Sequence, residues 1–435
     1  MRKIFQYILI AVAVVATASC SNELDEALQP ANNGTLQFVV SDFPMFGEGT
    51  QTRVIGTQDE GKTAWENGDE IIVTLISRKY GEQAAALTYN GSSWSTEASL
   101  SYLENETPSV SVFYAPCYEV TEEGTMQLRS GMQLGMTEYL SGNYEMDNGI
   151  MTITFEGAIR TYSRLRIAGL ANQTLTVTTG SFTPAGATEV ATAAYTLTTD
   201  NNGNAFLYGV FAEGATVIVK QGDITLKDYT FTAEKNPNGT EHNKSYALDA
   251  TPVIDGTLGG KAEATEDDIT ALVGQLKEYV DNGITTIIVP GTEYAMYKSN
   301  LGTIPAFAEA LYLLTDLNED SPYCGTIDLI LPDATEIIDF SFDSADALKS
   351  ITLPKVTTVG DGAFYGCYYL QTITFGSVVT AINHNTKAEF HWVGKKVEGC
   401  DLVLNREQVN AEADYQPNIE TSTWWNTEWK SITLK

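Results

Sequence analysis

From Thr35 onward, short apolar runs alternate with breakers at the spacing of strands rather than helices. Ile71, Val73 and Leu75 share one strand face against Ile72, Thr74 and Ile76, and Val110, Val112 and Tyr114 alternate with Ser111 and Phe113. Asn90-Gly91 between Leu87-Thr88-Tyr89 and Trp94 is a hairpin signature. A second series starts near Gly149, with Met151, Ile153 and Phe155 on one face. It runs on through Leu165/Ile167, Leu175/Val177, Tyr195/Leu197, Phe206/Tyr208/Val210, Val217/Val219 and Tyr229/Phe231. Gly180, Pro184, Asp200-Asn201-Asn202-Gly203, Gly214 and Gly222-Asp223 punctuate it. Short strands at roughly 8–12-residue spacing, without a helix between them, predict a β-sandwich.

The pattern changes after a Gly-containing stretch at 251–261, which reads as a linker. Thr265 is suited to cap a helix whose first turn holds Glu266, Asp267 and Asp268. Ile269, Leu272, Val273, Leu276, Tyr279 and Val280 form its apolar stripe, and Asn282-Gly283 ends it. A strand over Ile287-Ile288-Val289 follows, then a second helix from Pro305 with Phe307, Leu311 and Leu314 inward. Next comes a repeat. Leu329, Leu331-Pro332, Ile337, Phe342 and Leu348 recur 22 residues later as Ile351, Leu353-Pro354, Val359, Phe364 and Leu370, and then Ile373 and Phe375. A fixed period marks stacked units that cannot bury their apolar faces alone. Two full rungs are visible, with the helices and the last 40 residues or so expected as caps.

Several segments carry family resemblances. Thr52-Arg53-Val54, Trp65-Glu66-Asn67-Gly68-Asp69-Glu70-Ile71 and Tyr89-Asn90-Gly91-Ser92-Ser93-Trp94 resemble the fimbrillin family, as do Ile153-Thr154-Phe155-Glu156, Arg164-Leu165-Arg166-Ile167 and Lys244-Ser245-Tyr246. That resemblance spans about residues 34–250 and implies two successive transthyretin-like β-sandwich domains. Gly362-Ala363-Phe364-Tyr365-Gly366-Cys367-Tyr368-Tyr369-Leu370 resembles the BspA-type leucine-rich repeat of bacterial surface proteins. The expected fold is therefore mainly β: two sandwiches, then a short α/β leucine-rich-repeat solenoid. The organisation read from the chain is 34–148 and 149–250 for the sandwiches, 251–261 for the linker and 262–435 for the repeat module with helical and Trp-rich caps.

The N-terminus adds an address. Arg2 and Lys3 precede an apolar run, Ile8 to Ala16, too short to span a bilayer, and Thr17-Ala18-Ser19-Cys20 follows. This resembles a bacterial lipobox, although Thr17 stands where such motifs usually carry Leu. The resemblance implies a signal peptide over 1–19, a lipid on Cys20 and a disordered tether over 20–33. The acidic run Ser21-Asn22-Glu23-Leu24-Asp25-Glu26 fits either a surface-export signal of Gram-negative gut anaerobes or a plain charged tether. The expected location is the outer membrane, lipid-anchored at the cell surface, or a fimbrium.

Charge removes one class of partner. Net charge is −31, and no Lys/Arg cluster is present for phosphate, so no nucleic-acid partner is expected. Cys117, Cys324, Cys367 and Cys400 make neither a disulfide framework nor a C-x-x-C zinc pair. His242, His384 and His391 lack metal-pair spacing and read as surface or loop residues. Asp316-Leu317-Asn318-Glu319-Asp320 starts like a calcium loop but has Ser321 and Ile327 where Gly and Glu belong. No cofactor motif, G-x-S-x-G or phosphate loop is found, so the chain reads as a non-enzyme without a cofactor.

Two features invite function. Trp424, Trp425 and Trp429 make either a sugar platform or an end cap. Arg53, followed by Val54, lies where polymerising fimbrillins are cut by an arginine-specific protease; the alternative is an exposed loop arginine. The cut would remove the strand carrying Leu36, Phe38 and Val40 and open a groove for another subunit's strand. The function expected is that of a surface adhesin or a fimbrial tip or accessory subunit. Its partners would be a host or neighbouring-cell protein or glycan, and other fimbrial subunits. The alternative is a glycan-binding lipoprotein for nutrient capture.

Overall fold

A computed structural model describes residues 37–44, 62–103, 106–147, 149–155, 160–234, 239–300, 302–316, 318–383, 389–425 and 427–435. The fold is mainly β and divides into two compact units. In the first, β1 (Gln37–Val40), β2 (Glu70–Ser77), β3 (Gly81–Tyr89), β4 (Trp94–Ser95) and β5 (Ser109–Tyr114) are followed by a hairpin, β6 (Tyr118–Val120) and β7 (Met126–Leu128). β8 (Leu140–Asp147) and β9 (Ile150–Thr154) complete it. The pairing path is β1-β9-β8-β5-β2-β3-β4, and its two ends, β1 and β4, touch, so the sheet closes over its own core. Ile71, Val73 and Leu75 are buried there as the alternation requires, and Tyr89 pairs with Trp94 across the Asn90-Gly91 turn. The Trp65 ring packs edge-on to Phe43, Trp94, Tyr114 and Phe155, and its indole N–H donates to the Ser41 carbonyl at 2.8 Å.

β9 corrects the expected boundary at 149. It pairs antiparallel with β8 and parallel with β1, so Met151 and Ile153 close the first unit instead of opening a second. Asn148-Gly149 between β8 and β9 is itself a hairpin signature, and a boundary cannot fall inside a hairpin.

The second unit holds residues 133–138 and everything from Arg160. β10 (Ser163–Ala168), β11 (Thr174–Pro184), β12 (Ala191–Thr198), β13 (Asn204–Gln221), β14 (Ile224–Thr230) and β15 (Ser245–Asp249) pair in the order β12-β11-β13-β10-β15, with β14 also on β13. β13 pairs with β10 through its first half and with β14 through its second, passing exposed Glu213 and Gly214 between them. One strand thereby serves both layers of a sandwich-like core, where Phe182, Phe211 and Phe231 stack at 4.3 and 4.9 Å. Residues 133–138 are tied in by a buried ion pair. Arg160 donates to one Glu138 oxygen from Nε and Nη2 at 2.9 and 2.7 Å, and the Tyr162 hydroxyl donates to the same oxygen at 3.1 Å.

The chain then enters a parallel ladder without a free linker. The 251–261 expectation fails because Ile254 is buried in the ladder's core and its N–H donates to the Ile288 carbonyl at 2.9 Å. α1 (Glu266–Asp281) has the expected capping box between Thr265 and Asp268, and Ile269, Leu272 and Leu276 are buried. β16 (Thr286–Ile288) is followed by a hairpin, β17 (Met296–Ser299) and β18 (Gly302–Pro305), and by α2 (Ala306–Leu313). The repeats give β19 (Ile327–Ile330), β20 (Glu336–Ile337), β21 (Leu348–Leu353), β22 (Thr358–Val359), β23 (Thr372–Phe375) and β24 (Ala381–Ile382). The tail supplies β25 (Asp401–Leu404), a hairpin, β26 (Thr423–Trp424) and β27 (Thr427–Glu428), and β28 (Ser431–Leu434). Among the described residues β16-β19-β21-β23-β25-β28 form one sheet, parallel throughout, and β20-β22-β24 a second. Two tail strands are thus rungs, where the sequence reading had placed only a cap.

The rungs meet through like residues. Phe364 lies between Phe342 and Phe390, at 5.6 and 5.7 Å and within 12° of parallel. Phe307 continues the stack at one end, and Trp424 and Trp429 at the other. Four acidic side chains fasten the rung that begins with β19 to the one that begins with β21. Asp328 accepts from the Ser350 hydroxyl at 2.6 Å, Asp333 from Lys355 at 2.8 Å, and Asp339 and Asp346 from the N–H groups of Asp361 and Tyr368. Cys367 is fully buried, its thiol directed at the Phe342 carbonyl at 2.9 Å, and burial pushes it well above the usual thiol range.

Two predictions follow from this stack. Phe364→Ala removes a ring packed on both sides and should destabilise the ladder by about 3–5 kcal/mol in chemical denaturation; a loss below about 1 kcal/mol would refute the stack as its core. Asp346 is pushed up to about 6 by burial. Its proton is therefore held more tightly in the fold than in the unfolded chain. That contribution is complete below about pH 4 and lost as pH rises through about 6. Asp346→Asn should accordingly raise Tm over the parent at pH 7 and not at pH 4, and an equal change at both would contradict the assignment.

Candidate binding surfaces of the repeat ladder

Strand alternation gives the ladder an inner and an outer face. Ile287, Leu329, Ile351, Ile373, Leu402 and Ile432 are buried, and the residues between them form rows set by the register. One row is Thr286, Asp328, Ser350, Thr372, Asp401 and Ser431; the next is Ile288, Ile330, Thr352, Thr374, Val403 and Thr433. These residues are partly or fully exposed, at a strand spacing of about 4.8 Å. The Ser431 hydroxyl donates to Asp401 at 2.7 Å, as Ser350 does to Asp328. Short hydroxyl, carboxylate and aliphatic side chains in register make a face suited to non-covalent contact.

A second surface lies on the loops that close the rungs. Ser344, Gly366 and Trp392 occupy equivalent positions. The Ser344 N–H donates to the Tyr365 carbonyl at 2.7 Å, and the Gly366 N–H to the His391 carbonyl at 2.9 Å. All three have left-handed backbone, with φ of 53°, 68° and 66°. Glycine adopts that conformation freely, whereas a side-chain-bearing residue gives up roughly 1–2 kcal/mol. Trp392 is nonetheless placed there and is 39% exposed. Tyr365, Tyr368 and His391 surround it at ring separations of 5.2, 6.1 and 4.7 Å, and the Lys395 ammonium lies 5.1 Å from its ring centre. The neighbouring Lys396 is paired with Glu319 at 2.5 Å.

The same unit contains a cleft of ≈ 330 Å³ walled by Phe307, Leu331, Ile337 and Phe342, with Glu293 and Glu336 also lining it. Tyr294 lines it too, and burial and the Asp333 charge push its hydroxyl up to about 12. Among the described residues no three His, Cys, Asp or Glu side chains converge as a metal site requires.

The sites anticipated from the sequence fall unevenly. Cys20, Arg53 and Val54 lie outside the described residues. Trp424 and Trp429 are 1% and 5% exposed and donate their indole N–H groups to the Tyr415 and Trp424 carbonyls. Trp425 stacks on Tyr415 at 5.2 Å. The three do not form a platform, because burying the end of the phenylalanine stack consumes two of them. The aromatic surface lies instead at Trp392. The sequence holds part of the signal, since Tyr365 and Tyr368 are aromatic at positions the core does not need, but Trp392 aligns with Gly366 only through the ladder hydrogen bonds, 26 residues on and not 22.

Residues 323–390 match, in six copies, the model of the BspA type leucine rich repeat region. No curated protein matches the chain. Among solved structures, a candidate cell adhesion protein of Bacteroides fragilis is 11% identical, over 50% of this chain and 93% of its own, with a TM-score of 0.28. A shaft pilin, spaA of Lactobacillus rhamnosus GG, is 11% identical over 50% and 94%, with a TM-score of 0.15. At those scores neither likeness decides the fold or the role of this chain. The described helices include none long and apolar enough to cross a membrane.

Proposed function

We propose that the chain is a surface-displayed binding protein, an adhesin or the tip or accessory subunit of a fimbrium, acting by contact and not by catalysis. The observation that carries this reading is the outer face of the ladder, a regular array of partly exposed short side chains backed by a continuous core. In this reading a lipid on Cys20 holds the chain at the outer membrane, and fimbrillin-like sandwiches carry the ladder away from the cell.

Cleavage after Arg53, leaving Val54 as a new terminus, belongs to the same proposal. β1 supports it. Phe38 and Val40 are only half-buried, Val39 is 53% exposed, and among the described residues β1 pairs with β9 alone. Losing such a strand bares one edge of β9, and a strand from another subunit can refill it.

The test uses cells of a Gram-negative anaerobe displaying the full chain, scored for adherence to mucin-coated and matrix-protein-coated surfaces. Thr352→Arg with Thr374→Arg should cut adherence at least tenfold at equal surface amount. Cys20→Ala should move the chain from membrane to medium, and oligomers recovered from the surface should begin at Val54. Adherence untouched by the paired arginines would contradict the binding role; a stable monomer beginning at Val54 would remove assembly from it.

A further inference from the structure

The aromatic cluster around Trp392 combines three independent features. The first is placement. Trp392 keeps a left-handed backbone at the position held one rung earlier by Gly366, where an added Cβ would come within 2.9 Å of the Ser344 hydroxyl oxygen. Packing does not explain a Trp there, because the residue is 39% exposed while the core stack runs through Phe342, Phe364 and Phe390. A residue retained in an unfavourable conformation at an exposed position points to a role outside folding.

The second feature is composition. Tyr365, Tyr368, His391 and Trp392 bring four rings together, each partly or fully exposed. Ring faces are electron-rich, and sugar C–H groups and cations settle on them. The third is charge. The chain carries 56 acidic and 25 basic residues, and the neighbouring Lys396 is paired with Glu319. Lys395 makes no ion pair among the described residues, and its ammonium lies over the Trp392 ring. An unneutralised cation beside exposed rings complements a ligand that has both an apolar C–H face and an anionic group.

We infer that Trp392, Tyr365 and Tyr368 form a platform for an acidic saccharide, with the sugar ring on the aromatic faces and its carboxylate or sulfate on Lys395. This deepens the binding role proposed above and rests on it. An acidic peptide offers the same charge but lacks the rigid C–H face that stacked rings select.

The experiment measures binding of the full chain to 3′-sialyllactose, a hyaluronan fragment and a heparin fragment, with lactose as the neutral control and poly-glutamate as the peptide control. At least one acidic saccharide should bind, and lactose at least tenfold more weakly. Trp392→Gly should abolish that binding without lowering Tm, because glycine relieves the backbone; a purely structural Trp392 would lower Tm. Lys395→Gln should reduce acidic-saccharide affinity to the lactose level. Binding of poly-glutamate alone, failure of all three acidic saccharides, or unchanged affinity in Trp392→Gly would each overturn the assignment. Loss of cell adherence in the paired arginine variant but not in Trp392→Gly would reject this platform while leaving the broader binding role standing.

Discussion

A ladder strand has one apolar face, and only the rungs beside it can bury that face. Ile351 and Leu353 are covered because Leu329 and Leu331 lie on one side and Ile373 and Phe375 on the other. The same holds around the bend of each rung, where Phe342, Phe364 and Phe390 stack nearly parallel. Removing any rung leaves two neighbours open. Capping is therefore as necessary as repetition, which is why α2 presents Phe307 at one end and the tail commits Trp424 and Trp429 to the other.

Stacking also fixes what faces solvent. Once the register sets which residues point inward, the alternate residues are held in rows whose spacing no loop can alter. Cross-rung acceptors such as Asp328, Asp333 and Asp339 reinforce that register, satisfying donors on the next rung while leaving few side chains free to move. Burial raises Asp346 above the usual carboxylate range even though the Tyr368 N–H it accepts favours the ionised form. The two exposed surfaces thus derive from one constraint: the face is the reverse of the core, and the Trp392 loop is the return of a rung that must pass through left-handed backbone.

Much of this was legible in the sequence where one local rule acted alone. The Thr265 cap, the α1 stripe, the Asn90-Gly91 hairpin and the Leu-x-Leu-Pro period each follow from spacing of a few residues. The rest depended on contacts that spacing does not encode. β25 and β28 pair at offsets of 29 and 30 residues instead of 22, because longer return loops intervene, so a constant period cannot find them. Ile254 looked like linker because its neighbours are Pro, Asp and Gly, yet its partner is Ile288 in the ladder. The tryptophans stay open between cap and platform for a related reason: an aromatic residue near a chain end does not reveal whether it covers a core or faces solvent. Trp392 was passed over because its significance rests on backbone conformation.

The central claim is that six strands and their stacked returns behave as a single cooperative body that displays both surfaces. Amide hydrogen exchange of the full chain, followed by mass spectrometry, tests it most directly. Peptides covering β16, β19, β21, β23, β25 and β28 should share one level of protection and lose it together as denaturant is raised. Early, independent exchange of β25 and β28, with β19 to β23 still protected, would show that the tail is an appendage and that the ladder does not depend on stacking from end to end.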